Sequence, residues 1–157
     1  HEHIVNMEEL GKIMNSELSA EEKLCLVLDA YINTAYSGEN WYAKIWAHEL
    51  MTPSPVGGMS FLAGTLPKEA YIRSLTADVT GIAIDDPVLD FCIIQVMAPY
   101  LLMLCVHRDM ARGLTSFFDY SPMEANRHLK ELIMFSLKSY AERYRRGEIR
   151  PLPSPSV

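Results

Sequence analysis

Basic residues are scarce in this sequence. Against 20 aspartates and glutamates stand 14 lysines and arginines, so the 157 residues carry a net charge of −6. Phosphate backbones are gripped by a basic face, so the chain by itself is not built to hold nucleic acid. Its one basic cluster, Arg143, Arg145 and Arg146, closes the last predicted helix, where cations offset the helix dipole. Cysteine is sparse too. Cys25, Cys92 and Cys105 sit at apolar helical positions with no C-x-x-C pair, which fits reduced, buried thiols in a cytoplasmic protein rather than a disulfide framework. No strand pattern occurs; short runs such as Ile82-Ala83-Ile84 fall at helix ends.

Catalytic motifs are also missing. There is no Gly-rich phosphate loop, H-E-x-x-H or G-x-S-x-G. His48 and Glu49 are adjacent, so they cannot converge on one metal from one helix face. His107-Arg108-Asp109 lies in a predicted helix with no partner motif. The expectation is therefore no enzyme, no catalytic residue, no metal and no cofactor. His1-Glu2-His3 leads into Met7-Glu8-Glu9-Leu10 instead of an apolar leader, so no signal peptide is expected. No internal repeat is visible.

What is present is apolar and helical. Hydrophobic residues make up 49% of the chain and nine are Met, enough for one domain with a sizeable core. The stretch Asp85 to Arg112 dominates. From Phe91 to Val106 its only polar member is Gln95. Asp85 and Asp86 are good caps and Pro87 suits the first turn. The spacing predicts one long helix, apolar on all sides and buried on every face. Those sixteen residues fall short of the roughly 20 that cross a bilayer, and no basic cluster flanks them. A core or interface helix is the expectation, with no membrane.

The other predicted helices are amphipathic. Residues 3 to 17 form the first, which begins without a cap. Ser19-Ala20-Glu21-Glu22 is a capping box that starts a second at Ala20, ended by Gly38. A third runs from about Glu39 to Met51, carrying Trp41 and Trp46. A short fourth extends from Ser54-Pro55 through Phe61 and ends at Gly64-Thr65. Pro67 opens a fifth that ends at Gly81. Phe117 and Phe118 lie in a loop after the long helix. Ser121-Pro122-Met123-Glu124 caps the last helix, in which Ala125, Leu129, Leu132, Ile133, Ser136, Leu137, Tyr140 and Tyr144 share a face. The Pro/Ser-rich tail, residues 148–157, is expected to be disordered. The fold class is all-α, with about seven helices.

Candidate site residues come from the aromatic and Met-rich stretch and the long helix. Trp46, Met59 and Phe61 offer soft apolar surface, and Glu49 comes late in an aromatic helix. At about 100° per residue, Cys92, Gln95, Met103 and His107 share one arc of the long helix with Pro99. That arc is assigned to a ligand pocket. Ile94, Ala98, Leu101 and Cys105 form a smoother arc, assigned to packing against a neighbouring helix or a second subunit.

Three segments carry a family resemblance: WAHELMTPSPVGGMSFLAG, LPKEAYIRSLTADVTGI and DDPVLDFCIIQVMAP. With Glu49 late in the third helix, the Thr52-Pro53-Ser54-Pro55 turn, Gln95 in the penultimate helix and a capped final helix, the chain resembles the C-terminal regulatory domain of TetR-type transcriptional regulators, most like the CecR-like (YbiH-type) subgroup. The likeness covers roughly residues 19 to 146. It departs at His48, where such proteins often carry a basic residue before the glutamate. The resemblance implies an effector-binding and dimerisation domain over residues 18–147, with residues 1–17 as the end of a helix linking to an absent DNA-binding part. It implies a homodimer through the last two long helices, with Leu129, Leu132, Ile133, Ser136 and Tyr140 joining the second arc at the interface. A small hydrophobic effector would bind among the preceding helices, and DNA would be reached only through a helix-turn-helix before residue 1. Two other classes remain: a helical module whose Met-rich groove binds a partner helix, and a helical enzyme, which would need a titratable cluster. A closed internal cavity would favour the regulator, and an open surface groove the module.

Overall fold

Asn6 starts the first helix, and its side chain accepts a hydrogen bond from the Glu8 amide at 2.9 Å. The computed structural model describes residues 6–36, 41–55 and 57–153, and for residues 42, 43, 46 and 57–66 the main chain alone. Helix α1 spans Met7–Met14. It was expected to lack a cap, as if continuing a longer helix. Asn6 is instead extended, with ψ 135°, and serves as an ordinary N-cap. Only Leu10 of this helix is buried.

The capping box at Ser19 forms in full. The Ser19 amide donates to Glu22 Oε2 at 2.9 Å and the Glu22 amide donates to Ser19 Oγ at 3.2 Å. The Ser19 amide, then its hydroxyl, holds the Glu22 carboxyl below its ordinary pKa. Helix α2 (Ala20–Tyr36) follows and buries Leu24, Val27, Leu28, Tyr31, Ile32 and Ala35. It packs on helices α4 (Gly57–Thr80), α5 (Val88–Cys105) and α7 (Pro122–Arg145). Helix α3 is Trp41–Met51 and helix α6 is Arg108–Leu114, with a 3-10 turn at Phe117–Asp119 before α7. Regular structure among the described residues is all helical.

Two boundaries differ from those predicted. The expected fourth and fifth helices are one continuous α4, with Pro67 inside it. A proline there gives up one helical hydrogen bond and crowds the carbonyl four residues back, yet a kinked helix can carry that cost. In the second half of α4, Ile72, Leu75, Ala77 and Thr80 join the buried interior. The long helix, by contrast, is two. Val106 is extended (ψ 137°), and His107 caps α6 through its side chain, which accepts from the Asp109 amide. The break lets Arg108 donate from Nη2 to the Ala35 carbonyl at 2.6 Å, in the last turn of α2, where helix carbonyls run out of intrahelical donors.

Helix α7 starts at Ser121, whose hydroxyl accepts from the Glu124 amide at 3.2 Å, with Pro122 in its first turn. The reciprocal half of that box is replaced by a Glu124–Arg127 ion pair. Gly147, at φ +70°, ends the helix. Its amide bonds Tyr144 O and the Glu148 amide bonds Arg143 O, the paired pattern that suits glycine at this position. Residues 148–153 run on from there, and Ile149 is half-buried.

A polar clamp fixes the register of the three central helices. Asn126, fully buried on α7, accepts from the Tyr100 hydroxyl of α5 and donates to Asp29 Oδ1 of α2, both at 2.7 Å. Lys130 Nζ reaches the same Asp29 oxygen at 2.7 Å. Burial pushes the Tyr100 hydroxyl far up, so it stays a donor.

Candidate functional site

Helix α5 presents two apolar faces. Val88, Leu89, Cys92, Ile93, Val96, Tyr100 and Met103 are buried inward. Opposite them Phe91, Ile94 and Leu102 are 58%, 63% and 66% exposed, with Ala98 and Cys105 also exposed and Leu101 half-buried. The helix is therefore not buried on every face, as its composition predicted. The outward residues recur every three or four positions, so they line one stripe. Gln95 lies beside this stripe in solvent, not inside the fold as expected. An exposed amide needs no buried partner. The 18 residues of α5 also satisfy, by length and composition, the test for a membrane-crossing helix, as core helices of water-soluble proteins do.

Helix α7 carries outward apolar groups of its own: Leu132 at 65% and Phe135 at 72% exposure. Phe135 was not among the predicted interface residues, because its spacing puts it off the shared face that the sequence pattern picks out. Leu129, Ser136 and Tyr140 are half-buried. Ile133 is only 3% exposed and belongs to the core. A side chain already enclosed by its own chain cannot offer area to a partner, which removes Ile133 from the interface set.

A second feature lies where α5 breaks. A cavity of about 670 Å³ opens between α3 and the α5–α6 junction, within the size range of small-molecule sites. Met103, Leu104 and Phe118 give it apolar walls, and Lys44, Arg108 and Arg112 border it. The Arg108 guanidinium stacks 3.9 Å from the Phe118 ring centre and 5.5 Å from that of Tyr36. Phe117 and Phe118 pack on Tyr36 at 5.9 and 5.4 Å, fixing this corner, and the Tyr36 hydroxyl donates to Phe117 O at 2.9 Å. Burial holds the Arg108 pKa below its ordinary value, though a guanidinium remains charged.

The predicted pocket residues whose side chains are described do not converge. Met103 and His107 border this cavity, but the break at Val106 takes His107 off the helical arc. Cys105, expected to be a buried thiol at an interface, is exposed and borders the cavity too. Cys92 is in the core, where burial raises its thiol pKa. The Glu49 carboxylate accepts from the Ser54 amide at 3.0 Å and its hydroxyl at 3.1 Å, so it braces the Thr52–Pro55 turn. The side chains of Trp46, Met59 and Phe61 lie outside the described residues. Arg108 is the residue the sequence pattern missed; its only local signal was a charge at the end of an apolar run.

No family model matches this sequence, and no curated protein matches it. Among the described residues no three His, Cys, Asp or Glu side chains form a metal-holding group. One buried polar atom there, Thr76 Oγ1 on α4, has no hydrogen-bond partner.

Proposed function

We propose that this chain is the effector-binding and dimerisation domain of a TetR-like transcriptional regulator, a repressor in its simplest form. The observation that carries the reading is the outward apolar stripe of α5, from Phe91 to Cys105, uncharged along its length. A helix with two apolar faces needs cover on both, and a second copy of the chain supplies it. Leu132 and Phe135 on α7 extend the same demand to the other long helix. The effector is a small molecule held at the cavity beside the α5–α6 junction. By binding one domain arrangement better than another, it shifts the position of α1 and of a helix-turn-helix before residue 1. DNA affinity then follows the population shift.

The test uses the longest reading frame that contains this sequence. Its product should bind the DNA flanking its own gene in a fluorescence anisotropy titration. A frame that encodes no helix-turn-helix, and a product that ignores that DNA, would remove this reading. A second reading, a helical module that binds a partner helix, is supported by one observation: the cavity is open to solvent. A partner helix would then lie along α5 in place of a second copy.

A further inference from the structure

The cations of this protein are mostly matched. Arg73 pairs with Glu69 and Asp90, Lys130 with Asp29, and Lys138 with Glu21. Those around the cavity are not: Lys44, Arg108 and Arg112 form no ion pair among the described residues. Arg108 and Arg112 lie four residues apart on one helix, so they repel each other. Among the described residues Asp109 is the one carboxylate bordering the cavity, and it lies 3.9 Å from His107. A chain with net charge −6 thus gathers an excess of positive charge at one apolar-walled opening. Arg108 is held in place by the Phe118 and Tyr36 rings and by the Ala35 carbonyl. That bond uses one of the five N–H groups a guanidinium can donate.

We propose that this cavity binds an anionic amphiphile, with a single carboxylate among Lys44, Arg108 and Arg112 and an apolar body against Met103, Leu104 and Phe118. The inference rests on the reading of the chain as an effector-binding domain and adds the charge of the effector. A neutral apolar ligand would leave the cations unmatched. A small hydrophilic anion would leave the apolar walls in water.

Isothermal titration of the full chain with decanoate and with decan-1-ol, matched in length and differing in charge, tests this. Decanoate should bind more tightly by about tenfold, the worth of one charge-assisted hydrogen bond. Added salt should narrow that difference, and Asp109→Asn should widen it. Arg108→Gln should bring decanoate down to the level of decan-1-ol. Should that variant fail to fold, Lys44→Gln and Arg112→Gln, both at exposed positions, should each reduce decanoate binding and leave decan-1-ol unchanged. Equal affinity for the two probes would overturn the charge assignment alone. Binding of neither would overturn the cavity as an effector site and this inference with it.

Discussion

The two faces of α5 are built from the same kinds of residue and differ in one respect. Inward, Leu89 and Val96 are fully enclosed by neighbouring helices, and Tyr100 is tied to Asn126. Outward, Phe91, Ile94 and Leu102 leave more than half of their surface open among the described residues. Apolar composition therefore marks where a helix needs cover and is silent on which molecule provides it. The inward face is stabilised on folding, by roughly 1.5–3 kcal/mol for each large side chain enclosed. The outward face can gain its share only through association.

Substitutions separate the faces. Val96→Asp would put a carboxylate where no solvent reaches. The variant should lose about 4 kcal/mol or more and fail to give a cooperative thermal transition by circular dichroism. Asn126→Ala removes the hub that links Tyr100 to Asp29 and should cost about 2–3 kcal/mol in a urea titration, with Tyr100 left without its acceptor. Outward, Gln95→Ala should change unfolding stability by less than about 0.5 kcal/mol, as is usual for exposed sites. A loss above about 2 kcal/mol there would mean that the outward face is already enclosed.

Acid gives a smaller effect at the ends of the helices. Tyr144, then the Val88 amide, hold Asp86 below its ordinary value of 3.8, and Ser19 holds Glu22 below 4.5. A carboxyl with a lowered folded pKa stabilises the fold above its unfolded value and loses that contribution as pH falls towards the folded one. The melting temperature should therefore begin to drop below about pH 4.5, with the Asp86 share setting in below about 3.8. Tyr144→Phe should flatten the slope in that lower range.

The helices and most of their ends were legible in the sequence. Ser19 with Glu22, Ser121 with Pro122, and the glycines at 81 and 147 are local signals that act within a turn or two. The α5–α6 break was not legible, because it depends on Arg108 reaching a carbonyl on α2, 73 residues away. Gly64-Thr65, read as a stop, and Pro67, read as a start, misled for the opposite reason: they are real local signals, but they do not divide α4. Gln95 and Ile133 show the limit of periodicity. An arc on a helical wheel ranks residues by angle, and where a neighbouring helix packs decides which angles are covered. Glu49 stands out in the sequence beside the Thr52–Pro55 turn, and its hydrogen bonds to Ser54 make it a brace for that turn.

Whether the outward face of α5 is a subunit interface is tested most directly by sedimentation equilibrium of the wild-type chain beside Ala98→Glu. Ala98 is exposed in the middle of the stripe, so the glutamate should leave the single chain folded with an unchanged circular dichroism spectrum. The expected result is a dimer for the wild type at micromolar concentration and a folded monomer for the variant. A wild-type monomer, or an Ala98→Glu chain that still dimerises, would contradict an interface on this face.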